Sequence, residues 1–241
     1  MFRQKKVIAL IPTGGSGARM GTDVKKQYLN LEGIEILNWT LKHISSSEWI
    51  DEIIVIVPKE DILEVTEKIS VWIQVDCILK PIKVIPGGKT RQESVYLGLQ
   101  AMEKYEEYVL IHDGVRPFVP IAFIERYLET LEQNKSLSGV VAGQRVTDTL
   151  KKVDKDHLIT GTVDRDTIWS VQTPQVFRCA ELIRAHAFAL AHEVFVTDDA
   201  ALLETLCESI AIVESPSNNI KITKPYDLEL AKSILKSYPL E

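Results

Sequence analysis

Short apolar runs alternate with longer amphipathic segments along most of this 241-residue chain. Runs such as VIALI (residues 7–11) and IIVIV (residues 53–57) consist wholly of aliphatic residues. Strands that are covered on both faces have this composition, which is typical of parallel sheets. The segments between the runs repeat apolar residues with a helical period. The alternation therefore predicts an α/β fold in which helices cover a mostly parallel sheet.

The same pattern places individual elements along the chain. Six strands are predicted at residues 6–13, 51–58, 83–87, 108–114, 139–144 and 209–215. Seven helices are predicted at residues 35–47, 60–74, 90–103, 121–134, 179–192, 198–207 and 225–238. Pro225 takes the first position of the last helix, where proline is favoured because no backbone N–H is needed there.

Residues 144–169 interrupt the alternation with a polar segment, QRVTDTLKKVDKDHLITGTVDRDTIW, that is rich in strand-forming residues. The turn-like DKD at its centre predicts a two-stranded excursion from the main body, which we call the β-arm. An isolated hairpin is not stable in water, so the β-arm should lean on another surface. A second copy of the chain is the natural candidate, which predicts a homodimer. A flap folded onto its own domain is the alternative.

Composition restricts the partners of the chain. The net charge of −6 and the pI near 5.5 disfavour nucleic acid or an anionic membrane surface as a partner. No apolar stretch approaches the ~20 residues that span a bilayer. The apolar run after the basic start is too short for a signal peptide, and the three cysteines lack disulfide or zinc spacing. We therefore expect a cytoplasmic protein.

A glycine-rich loop, TGGSGARMGTDVKK, follows the first predicted strand. It lacks the GKS or GKT of a Walker loop, and Met20 replaces the third glycine of the dinucleotide pattern. Its glycines still allow backbone N–H groups to converge on an anion. Arg19 adds a fork of donors and Lys25 or Lys26 adds a point charge, so the loop could hold a triphosphate. A tight turn with solvated basic residues is the alternative.

Asp113 and Arg116 follow a buried strand in the stretch LIHDGVRPFV. Ligands of open α/β sheets bind outside the carboxyl ends of the strands, so this position favours function. A carboxylate there can hold Mg²⁺ together with substrate phosphates. Capping of the next helix is the alternative role for Asp113, although Pro117 delays the start of that helix. Arg116 could pair with Asp113 or face the ligand.

A second glycine turn, at Gly87 and Gly88, precedes a predicted helix that carries Arg91 and Ser94. Such a turn suits the close approach of a base or a ribose, and a plain turn before a capped helix is an equally good interpretation. Arg165 on the β-arm has no nearby helical partner, which suits recognition of an anion. The histidines show no metal spacing, and the absence of GxSxG and HExxH disfavours a hydrolase.

Several stretches, taken in order, resemble one family. They are GGSGARM…KKQYL, PGG…RxxSVxxGL, HDGVRPFV, VxDTxK, TVDR…IW…QTPQxF, TDDA and NIKITKPxDL. This ordered set extends from about Val7 to Lys232 and is similar to the 2-C-methyl-D-erythritol 4-phosphate cytidylyltransferases. The resemblance implies one domain over residues 1–241 with a three-layer, Rossmann-like nucleotidyltransferase fold. It also implies that the β-arm, at about residues 144–169, embraces a second subunit.

The resemblance further implies that CMP is transferred from CTP to the phosphate of 2-C-methyl-D-erythritol 4-phosphate, with Mg²⁺ as cofactor and release of pyrophosphate. This reaction is a step of the non-mevalonate route to isoprenoids. The residues implied around the CTP phosphates are Thr13, Gly14, Gly15, Arg19 and Lys26. Gly88 and Ser94 are implied at the cytosine, Gly114 at the ribose, Asp113 at Mg²⁺ and Arg116 beside the ligand. Thr149 and Arg165 of the partner's β-arm are implied to hold the polyol phosphate, Thr173, Thr197 and Lys221 complete the pocket, and Arg19, Lys26 and Lys221 are the implied catalytic residues.

Other functions stay open at this point. Ribitol 5-phosphate cytidylyltransferases have a similar loop and the same chemistry, although TVDRDTIW and VTDTLKK resemble the methylerythritol enzymes more closely. A regulatory protein that only binds a nucleotide would not need Arg19, Lys26, Asp113 and Lys221 together, and Met20 disfavours a dehydrogenase. Proline is common in the family where this chain has Lys25, so the division of roles between Lys25 and Lys26 is open.

Overall fold

The computed structural model describes residues 1–14, 25–76, 78–103, 107–119 and 121–237. Gly15 and Arg19 of the glycine-rich loop lie outside these ranges. No helix in the described ranges is long and apolar enough to cross a membrane.

The described residues form eleven strands. They are β1 (Val7–Pro12), β2 (Asn30–Leu31), β3 (Ile34–Glu35), β4 (Glu52–Val57), β5 (Ile82–Pro86), β6 (Tyr108–Ile111), β7 (Leu137–Arg145), β8 (Lys151–Val153), β9 (Ile159–Thr162), β10 (Trp169–Arg178) and β11 (Ser209–Glu214). Seven of them make one sheet in the order β11-β7-β10-β6-β1-β4-β5. All neighbours in this sheet are parallel except β10, which runs antiparallel to both β6 and β7. The predicted mostly parallel sheet is confirmed.

Seven α-helices are present in the same ranges. They are α1 (Ile36–Ser46), α2 (Ile62–Val75), α3 (Arg91–Ala101), α4 (Ile121–Gln133), α5 (Cys179–Ala191), α6 (Asp199–Glu204) and α7 (Pro225–Ser237). Each of the seven predicted helices and six predicted strands has its counterpart. In the part of the chain that the structure describes, single turns of 3-10 helix lie at Lys26–Tyr28, Lys59–Asp61 and Arg165–Thr167.

The sheet separates two apolar cores because successive side chains of a strand point to opposite faces. In β1, Val7, Ala9 and Ile11 pack on the side of α1, α2 and α4. Ile8 and Leu10 pack on the other side, against α3, α5 and α6. Such two-sided burial explains why these strands are continuous aliphatic runs, and it makes the three layers that were expected. A third cluster beneath α7 includes Trp39 and Phe118.

The sequence pattern missed one central strand, β10. Its sequence contains Pro174, and proline removes a ladder hydrogen bond, so it argues against a central strand. The pairing of β10 with β7 shifts register between Val171 and Gln175, which places the proline in an irregularity where the ladder is already interrupted. Proline is tolerated in sheets at such bulges.

The β-arm leaves the main sheet where Arg145 of β7 pairs with Trp169 of β10. Beyond this pair, β8 and β9 form a separate antiparallel hairpin outside the seven-stranded sheet. Val153, Leu158 and Ile159 of the hairpin are 52%, 65% and 67% exposed. These apolar side chains have no cover within the described part of the chain.

Candidate active site

A cleft of about 660 Å³ opens at the carboxyl ends of four neighbouring strands, β1, β4, β5 and β6. The chain passes from β1 to β4 and β5 on one side and then to β6 on the other side of β1. A reversal of this kind separates the loops after two adjacent strands and creates the crevice in which α/β proteins bind ligands. Its described lining residues are Pro12–Gly14, Lys26, Ile56–Glu60, Gly87–Arg91, Glu93, Ser94, Asp113–Val115 and Lys221.

Asp113 lies at the floor of this cleft and is surrounded by cations. Its carboxylate lies 2.7 Å from Lys221 Nζ, 3.5 Å from Arg116 Nε and 3.6 Å from Arg91 Nε. Burial alone would raise the pKa of Asp113, but the charges of Lys221, Arg91 and Arg116 outweigh it and hold that pKa far below its usual value. The carboxylate is therefore ionised at neutral pH.

Arg91 also binds a second buried carboxylate. Its Nη1 donates to Asp199 Oδ2 at 2.6 Å, and Asp199 opens α6. Arg91 is the first residue of α3, where the helix dipole disfavours a positive charge, so the two carboxylates are what makes a cation stable there. The resulting cluster joins three cations, Arg91, Arg116 and Lys221, to two buried carboxylates at the cleft.

The backbone of Asp113 is fixed by a chain of hydrogen bonds to buried groups. The carbonyl of Arg116 can only accept, so His112 Nε2 donates to it at 3.0 Å, and Nδ1 is left as the acceptor for the Thr173 hydroxyl at 3.2 Å. The Thr173 oxygen in turn accepts from the N–H of Asp113 at 3.0 Å. Burial lowers the pKa of His112 to about 4, which keeps the ring neutral as this arrangement requires.

Two walls of the cleft are formed by backbone turns. Thr13 donates from both its N–H and its hydroxyl to the carbonyl of Ile56, and this ties the start of the glycine-rich loop to β4. On the other wall, Ser94 Oγ accepts from the N–H of Gly88 at 3.1 Å. A Cβ at Gly114 would lie 2.9 Å from Thr13 Cγ2, so the close packing of these walls requires a glycine there.

Comparison with known proteins identifies the family. The model of the 2-C-methyl-D-erythritol 4-phosphate cytidylyltransferase family matches residues 7–237. The chain is 41% identical over 234 residues to the protein of that name from Geotalea uraniireducens, with 96% of this chain and 97% of the relative covered. It is 38% identical over 232 residues to the one from Clostridium novyi, with 96% and 97% covered.

Solved structures agree with this result. The crystal structure of 4-diphosphocytidyl-2C-methyl-D-erythritol synthase from Anaerococcus prevotii has a TM-score of 0.82 to the chain at 32% identity and covers 96% of both chains. The chain belongs to the 2-C-methyl-D-erythritol 4-phosphate cytidylyltransferase family. The resemblance inferred from the ordered motifs is thereby confirmed, and so are the α/β nucleotidyltransferase fold and the enzyme class.

The cleft brings together many of the residues that the cytidylyltransferase motifs implied. Its lining includes Thr13, Gly14, Lys26, Gly88, Ser94, Asp113, Gly114 and Lys221. Arg116 and Thr173 are buried and contact the Asp113 segment from behind. In addition to its contact with Asp113, Arg116 donates from Nη1 to the carbonyl of Asn219 at 2.9 Å, which fixes it in the protein.

Three implied residues are exposed and are not among the described residues that line the cleft: Thr149, Arg165 and Thr197. Arg165 Nη1 donates to the carbonyl of Thr147 at 2.5 Å, so the guanidinium stays on the β-arm. Within one subunit the cytidylyltransferase cleft does not contain these side chains. Their implied roles stay predictions, and those of Thr149 and Arg165 depend on a second copy of the chain.

Two residues of the site, Arg91 and Asp199, were not proposed from the sequence. The available signal for Arg91 is its position: a cation in the first turn of a helix is unfavourable unless a carboxylate lies nearby. TDDA supplies that carboxylate about a hundred residues later in the chain, and Asp198 caps α6 while Asp199 turns inward to Arg91. Sequence alone cannot pair the two because their proximity depends on the packing of α3 against α5 and α6.

We expect Thr173→Val to destabilise the fold by about 1–3 kcal/mol, since it leaves the Asp113 N–H and His112 Nδ1 buried without their partner. Urea unfolding monitored by fluorescence measures the change. Thr173→Ser retains the hydroxyl and serves as the matched control, with a smaller loss. Equal stability of Thr173→Val and the wild type would contradict this account of the hydrogen-bond chain.

His186 should make stability depend on pH. It is buried on α5, stacks on Tyr96 and lies 3.8 Å from Asp199; burial lowers its pKa from 6.5 to about 4. The unfolded chain takes up a proton near pH 6.5 but the folded chain only near pH 4. The contribution of His186 is therefore fully present above pH 6.5 and is lost as the pH falls towards 4, by ~1.4 kcal/mol per pH unit.

Unfolding free energies measured by denaturant titration at pH 7.5 and pH 5 test this dependence. The variant His186→Gln has no titrating group at the position, so its stability should fall less between the two pH values than that of the wild type. An equal fall in both proteins would show that His186 does not titrate in this way.

Proposed function

We propose that this cleft is the place where the enzyme transfers CMP from CTP to the phosphate of 2-C-methyl-D-erythritol 4-phosphate. A phosphate oxygen of the acceptor attacks the α-phosphorus of CTP, the bond from that phosphorus to the bridging oxygen breaks, and pyrophosphate leaves. The observation that carries the proposal is Asp113 with its three cations at the reversal point of the sheet, since this is where several phosphates can be neutralised.

The chemistry needs charge neutralisation more than it needs a base. The attacking phosphate monoester is already anionic near neutral pH, and it must approach a triphosphate that is more strongly charged. Preorganised cations and backbone donors are the general solution to this problem in phosphoryl transfer. Lys26 and Lys221 both line the cleft, and we assign them to the phosphates with Arg19 of the loop.

We assign roles to the other residues that the family motifs imply according to where they lie in the cleft. Thr13 is assigned beside the phosphates, where its bonds to Ile56 hold the start of the loop, and Gly14, with Gly15 of the loop, is assigned to backbone contacts with them. Gly88 and Ser94 form the wall for the cytosine, and Gly114 lies at the ribose. Arg116 and Thr173 hold the Asp113 segment in place from beneath. Thr197 is assigned to the same pocket on the motif alone.

The residues at the cleft fit a magnesium ion that is shared with the substrate. Asp113 is an ionised carboxylate that lines the cleft, and Mg²⁺ is commonly held by one or two carboxylates together with substrate phosphates. Among the described residues no group of three or more acidic, histidine or cysteine side chains could hold a metal without the substrate. When bound, Mg²⁺ neutralises negative charge on the phosphates of CTP.

We propose a homodimer in which the β-arm of one subunit reaches the cleft of the other. The exposed Val153, Leu158 and Ile159 need a cover, and a two-stranded hairpin gains stability by packing on a larger body. In this arrangement Thr149 and Arg165 of the partner would hold the phosphate of the polyol. The cytoplasmic location expected from the sequence stays a prediction.

The function predicts pyrophosphate release from CTP, but not from ATP, GTP or UTP, in the presence of 2-C-methyl-D-erythritol 4-phosphate and Mg²⁺. Ribitol 5-phosphate should be the poorer acceptor. In the same assay, Lys26→Ala and Arg19→Ala should each lower kcat by about 10²–10³ because one preorganised charge contact is lost. Their melting temperatures should stay close to that of the wild type.

Lys135→Ala is the matched control for this series, since Lys135 is an exposed lysine just beyond the end of α4 that pairs with Glu132. Its turnover should equal that of the wild type. Normal turnover of Lys26→Ala would remove that residue from the catalytic machinery, and turnover with ribitol 5-phosphate but not with the methylerythritol substrate would overturn the substrate assignment.

Arg165→Ala should raise KM for the polyol phosphate much more than KM for CTP. If sites are shared across a dimer, mixing Arg165→Ala subunits with Lys26→Ala subunits restores part of the activity. The reason is that each mixed dimer contains one site with both side chains intact. Steady-state kinetics after co-refolding or subunit exchange measure the recovery. Mixtures that are no more active than their components would argue against the shared site.

A further inference from the structure

The side chains on both sides of Lys26 in its short turn bind one carboxylate, that of Asp61. Lys26 lines the cleft and begins the 3-10 turn Lys26–Tyr28. The residue before it, Lys25, and the last residue of the turn, Tyr28, both donate to Asp61. Lys25 Nζ lies 2.7 Å from each oxygen of Asp61, and the Tyr28 hydroxyl lies 2.8 Å from Oδ2.

Asp61 directly follows the residues of another wall of the cleft. It ends the turn Lys59–Asp61, which follows β4 through Pro58, and Val57–Glu60 line the cleft. Only 8% of Asp61 is exposed, and it is not itself among the described lining residues. Its three hydrogen bonds therefore join the Lys26 turn to the end of β4.

We propose that Asp61 is a positioning residue for the cytidylyl transfer, which it serves by holding Lys26 at the phosphates through Lys25 and Tyr28. This inference rests on the function proposed above and adds to it a residue that does not touch the substrate. The geometry also divides the roles of the two adjacent lysines: Lys25 anchors the turn and Lys26 faces the cleft.

The surroundings of Lys25 explain why it is the anchor. Its ammonium is shared between Asp61 and Glu60, whose Oε1 accepts from it at 3.0 Å. Burial alone would lower the pKa of Lys25, but the hydrogen bonds to these two carboxylates raise it above its ordinary value. Two carboxylates compensate one ammonium, so this group supplies no surplus positive charge to a triphosphate. A charged hydrogen bond of this kind also has well-defined geometry.

The turn is held against the core as well. Tyr28 packs against the apolar core on the side of α1, α2 and α4. The ammonium of Lys68 lies 5.0 Å from the centre of the Tyr28 ring. Desolvation and, after it, the hydrogen bond to Asp61 raise the pKa of Tyr28, so its hydroxyl is protonated and can donate at neutral pH. The Tyr28 hydroxyl therefore donates to Asp61 from a ring that is packed against the core.

The backbone at Lys25 offers a way to separate geometry from charge. Its φ of −61° and ψ of 134° lie in the range that proline adopts. A proline at this position would restrict the chain before Lys26 to the observed conformation without any ion pair. Lys25→Pro should therefore replace the anchor by a covalent restraint, whereas Lys25→Met removes the anchor and leaves the backbone free.

The decisive experiment measures kcat and KM for CTP in Asp61→Asn, Lys26→Ala and the double variant. We expect Asp61→Asn to lower kcat about 10- to 100-fold with a smaller change in KM for CTP, because a displaced group loses its transition-state contact. In the Lys26→Ala background the same substitution should have almost no further effect, since Asp61 acts through Lys26. A purely structural residue would give additive losses in the double variant.

Asp76→Asn is the matched control. Asp76 is a carboxylate of similar burial at the far end of α2, with Lys42 Nζ 3.9 Å away and a hydrogen bond from Asn38. Its variant should keep wild-type kinetics. Lys25→Met should lower kcat as much as Asp61→Asn does. If Asp61→Asn fails to fold, Lys25→Met is used in its place for the same measurements. Lys25→Pro should retain most of the activity and should restore activity to Asp61→Asn.

The outcomes separate this inference from the proposed function. If the wild type is active on CTP and the kcat of Asp61→Asn or of Lys25→Met equals that of the wild type, the positioning role alone is overturned. Additive losses of Asp61→Asn and Lys26→Ala overturn it as well. A wild type that neither binds CTP in calorimetry nor releases pyrophosphate overturns the proposed function and this inference with it.

Discussion

The ring of cations around Asp113 is the interaction on which the rest of the site depends. Its three members come from different parts of the chain: Arg91 from the start of α3, Arg116 from the segment after β6, and Lys221 from the segment before α7. A buried carboxylate that loses such partners is typically destabilising by about 3–5 kcal/mol. The requirement to keep this charge compensated therefore holds three distant segments at the same edge of the sheet, and the cleft is the space between them.

The elements with the strongest patterns could be predicted from the sequence. Strands buried on both faces are unbroken aliphatic runs, and their helices carry one apolar face, so β1, β4, β6 and the covering helices could be placed to within a few residues. Strand β10 could not be predicted, because Pro174 contradicts a central strand until its partners are known to skip that position. The local rule was sound, and the tertiary context overrode it.

The residues of the site show the same difference between local sequence patterns and tertiary contacts. Residues in glycine turns and at strand ends, such as Gly88 and Asp113, have local signals that indicate a ligand. The pairs Arg91–Asp199 and Lys25–Asp61 join residues 108 and 36 positions apart, and no local pattern connects them. Both pairs fix groups that line the cleft. The contacts that hold the lining residues in place are therefore the part of the site that could not be predicted from the sequence.

Strand β10 connects the charge cluster of a subunit with the β-arm that, in the proposed dimer, reaches the cleft of the partner. Strand β10 begins at Trp169, where the β-arm meets the sheet, and four residues later it reaches Thr173, which holds the N–H of Asp113. Four residues of extended chain span at most roughly 14 Å. The β-arm is thus the outward continuation of the strand that braces the floor of its own cleft. In the proposed dimer, one short stretch of backbone would therefore link the contact between a subunit and its neighbour to the charge cluster of the subunit's own cleft.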